Sequence, residues 1–159
     1  DLTLAGPVIA NLKVSISGTD ADFVVKVIDV FPDNFQYSEA NSSPTGRSGV
    51  ASYPMNGYQM LVRGEIMRGK FRNSFTTPEP FKPNKIETVE FALPDVAHTF
   101  KKGHRLMVQV QSSWFPLADR NPQQFMNIYE AKPEDFKKAT IKIYHDGSNS
   151  SSVSLPIMR

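Results

Sequence analysis

A nucleophilic serine lifted above a sheet requires Gly-x-Ser-x-Gly at a strand-to-helix turn. Gly46-Arg47-Ser48-Gly49-Val50 comes within one residue of that spacing. Its second glycine arrives one position early and no helical period follows, so Ser48 reads as a loop serine. His98, His104 and His145 lie too far apart for a helical His-x-x-x-His metal pair, and each sits beside a turn. His104, in Gly103-His104-Arg105 at the start of a strand, is expected to bond a nearby carbonyl and lock that turn. Asp20, Asp22, Asp29 and Asp33 form the densest acidic group, and loop carboxylates of this kind can hold calcium. Their spacing matches no defined calcium loop. Asp20 and Asp33 are more simply turn formers, and Asp29 a strand residue bonding a neighbouring strand. With no cysteine there is no thiolate nucleophile, thiolate metal site or disulfide. No catalytic, cofactor-binding or metal-ligating residue is therefore assigned, and no cofactor is expected.

Arg63, Arg68, Lys70 and Arg72, with Phe71 and Phe75, could form a basic aromatic surface for nucleic acid. Glu65, Glu79 and Glu87 share that stretch, and the net charge is only +2, so a polyanionic partner is not expected. The most informative local feature is Ser112-Ser113-Trp114-Phe115-Pro116, which leads into the polar turn Asp119-Arg120-Asn121-Pro122. Large aromatic side chains at a strand exit either cap their own core or anchor an interface, and both readings stand here. Trp114, Phe115 and Arg120 are the candidate domain-interface or cleft-wall residues.

The elements that must position these residues are strands. Val8, Ala10, Leu12, Val14 and Ile16 alternate with Ile9, Asn11, Lys13, Ser15 and Ser17, as in a half-buried strand. Residues 23–30 are apolar on nearly both faces, which predicts a central strand. Phe35 to Gly57, rich in Ser, Asn, Gly and Pro, reads as a long loop. Strands are expected at 58–67, 86–93, 105–112, 141–144 and 153–157, with an irregular edge carrying three prolines between residues 68 and 83. One helical turn is expected at Asp95 to Phe100. The convincing helical stretch runs from Asn121 to Ala139, with Pro133 in a first turn and Glu134 and Asp135 at the positive end of the dipole. About seven short strands and little helix predict an all-β fold, an antiparallel β-sandwich of jelly-roll, galactose-binding-domain-like type with one short helical connection. The chain of 159 residues reads as one domain. No run of about 18 apolar residues could span a bilayer as a helix, so no membrane partner is expected.

Several segments in order resemble the C-terminal domain shared by X-prolyl dipeptidyl-peptidases, cocaine-esterase-like enzymes, glutaryl acylases and α-amino-acid ester hydrolases. They are Leu4-Ala5-Gly6-Pro7-Val8, Ser17-Gly18-Thr19-Asp20-Ala21-Asp22-Phe23 and Asp29-Val30-Phe31-Pro32-Asp33. Gly57-Tyr58-Gln59-Met60, Arg63-Gly64-Glu65, Arg72-Asn73-Ser74-Phe75 and Phe100-Lys101-Lys102-Gly103-His104-Arg105-Leu106 follow. Gln111-Ser112-Ser113-Trp114-Phe115-Pro116, Asp119-Arg120-Asn121-Pro122 and Ser154-Leu155-Pro156-Ile157 complete the set, closest to the last two members of the family. The resemblance implies that residues 1–159 are the C-terminal, non-catalytic jelly roll of a larger serine hydrolase. An α/β-hydrolase domain of the same polypeptide would then be its partner and supply the Ser-His-Asp triad for acyl transfer. It also implies strands upstream of Leu4, so an exposed sheet edge able to pair with a second copy is expected. The rival readings are a carbohydrate-binding module using Trp114 and Tyr58, and an oligomerisation domain. The compartment stays open, with export of the parent to a periplasm or to the medium compatible with the lack of cysteine.

Overall fold

The alternation seen from Val8 onward begins at Leu2, and β1 (Leu2–Ile16) runs the length of one sheet. Leu4, Val8, Ala10, Leu12, Val14 and Ile16 are buried, which is the even-numbered face expected from the period of two. The computed structural model describes residues 1–35 and 55–158. Within them follow β2 (Asp22–Val30), β3 (Gln59–Arg68), β4 (Glu87–Phe100), β5 (Arg105–Gln111), β6 (Ile141–Ile143) and β7 (Ser152–Ser154). One sheet has the order β4-β1-β6, with β7 also paired to β1, and the other has the order β3-β2-β5. Every pairing is antiparallel, and the two sheets close face to face as a β-sandwich.

β2 is central, as its two apolar faces require. Phe23, Val25 and Val27 join the core between the sheets, and Val24, Ile28 and Val30 are buried on the outer side. Each such side chain stabilises the fold by about 2 kcal/mol relative to exposure. In β1 the backbone takes φ +122° at Gly6, and the register with β4 shifts before Val8. Glycine is the residue that adopts this conformation without strain.

Two expectations fail for identifiable reasons. Asp95 to Phe100 is not a helical turn but the end of β4, whose residues Val96 to Phe100 pair with Gly6 to Leu2 of β1. Val96 and Phe100 are buried at 3% and 4% exposure, so an available partner strand overrides a weak local preference. Asn121 to Ala139 forms no α-helix, only 3₁₀ turns at Ile128–Glu130 and Pro133–Asp135. Its side chains compete for the backbone: Asn121 Oδ1 accepts the N–H of Gln123, Asn127 Oδ1 that of Tyr129, and Asp135 Oδ2 that of Lys132. The helical connection is thus reduced to two short turns. The strand expected at 153–157 is divided between β7 and a single bridge from Ile157 to Leu4.

The sandwich is open at both sides: a cavity of about 530 Å³ lies where β3 meets β4, lined by Glu65, Met67, Glu90 and Ala92 among others, and a second opening lies where β5 faces β6. Val108 and Val110 of β5 pair with the core-facing Val27 and Val25, yet they are 37% and 38% exposed. The facing strand β6 is three residues long, and a gap of about 190 Å³ remains, lined by Phe23, Val110, Ile141 and Ile143 among others.

Candidate functional site

The candidates for chemistry are engaged in holding strands together. Asp29, 2% exposed, projects inward from β2 and accepts one imidazole hydrogen bond on each carboxylate oxygen. His98 Nε2 lies 2.8 Å from Oδ2, and His104 Nδ1 lies 2.8 Å from Oδ1. His98 comes from β4 in the opposite sheet and His104 from the turn before β5, so one carboxylate ties both sheets and a turn. The partner of His104 is therefore this carboxylate and not the carbonyl expected from the sequence. Its ring packs on Phe31 at 4.5 Å and Phe35 at 6.1 Å between centroids. The Asp–His pairing resembles two-thirds of a catalytic triad, but no hydroxyl among the described residues bonds either ring. His145 is exposed, and Ser48 lies outside the described residues.

Asp20 and Asp22 make a second buried group. Asp20 Oδ1 accepts the N–H of Ala21 and of Lys70, both at 2.9 Å, while Oδ2 has no hydrogen-bond partner among the described residues. Asp22 receives Asn121 Nδ2 at 2.8 Å and pairs with Arg68 at 3.4 Å. Burial pushes both carboxyls above the usual aspartate range, against the opposing pull of Asn121 on both, and of Arg68 on Asp22. The four aspartates do not converge, since Asp29 is held apart by its histidines. No group of three or more His, Asp or Glu side chains among the described residues is arranged to hold a metal ion.

Three of the four basic residues are likewise engaged within the fold, while the buried Nε of Arg63 has no hydrogen-bond partner among the described residues. Arg72 is bonded to Glu87 and to the carbonyls of Gly69, Glu79 and Pro80, and Lys70 Nζ to the carbonyl of Met126. Arg68 joins Asp22 to the carbonyl of Asp119. They form no continuous basic face of the kind nucleic acid requires.

The segment from Trp114 to Asn121 differs. Trp114, half-buried, lies over the outer side of β2 and β3, with Lys26 Nζ 4.1 Å from its ring centroid. A methyl group on Gly64 would come within 2.8 Å of the indole, so glycine there is what lets the ring settle on the sheet. At the far end, Arg68 holds Asp119 and Asp22 holds Asn121. The buried acidic group is thus the anchor of an exposed loop. Between the two anchors the Phe115–Pro116 peptide is cis, and Phe115 and Leu117 are 64% and 69% exposed. The Arg120 guanidinium lies 5.7 Å from the Phe115 ring and 5.3 Å from that of Phe136.

The three residues singled out in the sequence therefore divide: Trp114 caps its own sheet, while Phe115 and Arg120 face outward. Leu117 and Phe136 were missed. Leu117 carried a faint signal as an apolar residue between two turn formers, but Phe136 approaches Arg120 only through the fold.

The fold is thus a β-sandwich whose described buried acids and histidines bond its own strands and turns, and whose Trp114–Asn121 loop leaves Phe115 and Leu117 exposed. Residues 1–154 match the family described as the X-Pro dipeptidyl-peptidase C-terminal non-catalytic domain, and the chain belongs to that family. It is 30% identical over 156 residues to the cocaine esterase of Rhodococcus sp. (strain MB1 Bresler), covering 98% of this chain and 23% of that protein. Among solved structures it is similar to an α-amino acid ester hydrolase, with TM-score 0.85, 45% identity, and coverage of 99% of this chain and 24% of that one. An aminopeptidase from a marine sediment archaeon, Thaumarchaeota archaeon, gives TM-score 0.85 and 41% identity, over 99% of this chain and 24% of its own. The chain spans about a quarter of the length of these relatives.

Proposed function

We propose that this chain is the accessory domain of a serine hydrolase, packing through the Trp114–Asn121 loop on an α/β-hydrolase domain of the same polypeptide and helping to wall its substrate cleft. The acyl-transfer chemistry belongs to that other domain. The supporting observation is the loop itself: it is anchored at both ends, yet presents Phe115 and Leu117 to solvent. Large apolar side chains held rigidly in water mark a contact surface. The open side at β5 and β6 supports a further contact, in which a strand from outside residues 1–159 pairs along β5 and covers Val108 and Val110.

The test compares this chain with the polypeptide that also carries the hydrolase domain. The longer polypeptide should turn over a chromogenic amino-acid ester, and this chain alone should not. Joint replacement Phe115→Ser and Leu117→Ser in the longer polypeptide should raise KM or loosen the domain contact. Turnover by the isolated chain, or a double variant indistinguishable from wild type in both respects, would refute the proposal. The carbohydrate-binding alternative draws little support from Trp114, whose ring is shared between Gly64 and Lys26.

A further inference from the structure

Arg120 is exposed, and its side chain contacts two aromatic rings, Phe115 and Phe136. Among the described residues its guanidinium makes no hydrogen bond and no ion pair. Arg68, the other arginine bonded to the loop, is occupied by Asp22 and by the carbonyl of Asp119. Two rings restrict the guanidinium without using its N–H donors, so less freedom is lost when those donors find an acceptor. The collar is apolar: Phe115 is 64% exposed, Leu117 69% and Phe136 39%.

We infer that Arg120, braced by Phe115 and Phe136, is a receptor for one carboxylate side chain of the adjoining hydrolase domain. The planar guanidinium takes a carboxylate through two parallel N–H···O bonds, and the surrounding apolar side chains exclude water from the pair. A polyanion fits less well. The nearby Lys137 Nζ is bonded to the carbonyl of Glu134, Lys26 is placed over Trp114, and Asp119 adjoins Arg120 with the opposite charge. This inference rests on the docking reading above and gives its partner a chemical identity.

The experiment follows hydrogen exchange of the peptide covering residues 112–122, in this chain and in the polypeptide that also carries the hydrolase domain. The wild-type longer polypeptide should protect this peptide at least tenfold relative to the isolated chain. Arg120→Glu should abolish the protection and Arg120→Lys should keep part of it, because an ammonium retains charge but not the two-pronged geometry. Lysine in place of the facing carboxylate should restore protection to Arg120→Glu. Phe115→Ser serves as the separate test of docking. If Phe115→Ser removes protection and Arg120→Glu does not, the carboxylate pairing is wrong and docking stands. If the wild-type peptide is equally unprotected in both polypeptides, docking through this loop fails and the inference fails with it. Protection that grows with concentration in the isolated chain would assign the face to a second copy and overturn the inference. Circular dichroism of each variant in the isolated chain keeps misfolding from imitating a lost contact.

Discussion

Asp29 with its two histidines and the loop from Trp114 to Asn121 hold the most chemically capable side chains described, and they are used in opposite ways. In the first region a buried carboxylate has both oxygens bonded within the fold, each by one imidazole. In the second, polar groups anchor the ends of the loop while a cation and two large apolar side chains stay open to a partner. The difference separates residues that build this domain from residues free to contact another one, a separation that residue type does not reveal.

Breaking the closed region should have the largest effect. Asp29→Ala leaves two imidazole N–H groups without their acceptor and unties the two sheets, with an expected loss of about 3 kcal/mol measurable by urea unfolding. Gly64→Ala should cost about 2 kcal/mol, because the added methyl group at 2.8 Å forces Trp114 off the sheet. Trp114 is the only tryptophan, so its fluorescence should shift towards that of a solvated indole in the same variant.

The anchors of the loop give a pH signature. Asp20 and Asp22 have raised folded-state pKa values because burial penalises their charge. Above those values both states are ionised and the folded form carries the full penalty. As pH falls towards the unfolded value of 3.8, the folded state takes up protons first and the penalty disappears. Stability from these groups therefore rises on mild acidification and falls as pH rises through the folded values. Asp20→Asn keeps an oxygen for the N–H groups of Ala21 and Lys70 and removes the charge. Its thermal midpoint should exceed that of the wild type at pH 7, and the advantage should shrink towards pH 4; an advantage independent of pH would contradict this account.

The smallest effect on the isolated chain should come from the open region. Phe115→Ser is expected to change its stability by less than about 0.5 kcal/mol, since the side chain is 64% exposed. A large loss would mean that Phe115 belongs to the domain's own core, and the contrast between the two regions would collapse.

Much of the frame could be read from the residues. The even-numbered face of β1, the doubly buried β2 and the inward set Leu106, Val108 and Val110 of β5 all followed from period-two patterning. The same pattern could not show that Val108 and Val110 stay partly exposed, because that depends on the short facing strand β6. It could not extend β4 through His98 either, where pairing with β1 decides the conformation. The stretch from Asn121 to Ala139 looked helical by composition, but side-chain bonds to its own backbone and the missing core-facing stripe left only 3₁₀ turns.

By itself the sequence determined a β-sandwich of this family, with a tryptophan-bearing loop as its most distinctive feature, because strand alternation and turn residues are local properties of the chain. Tertiary structure alone decided that His98 and His104 share Asp29, that Trp114 lies on the outer side of its own sheet while Phe115 is turned to solvent, and that Phe136 meets Arg120. Those contacts join residues 16 to 75 positions apart, and such distances are closed by sheet pairing and burial, which no local pattern encodes.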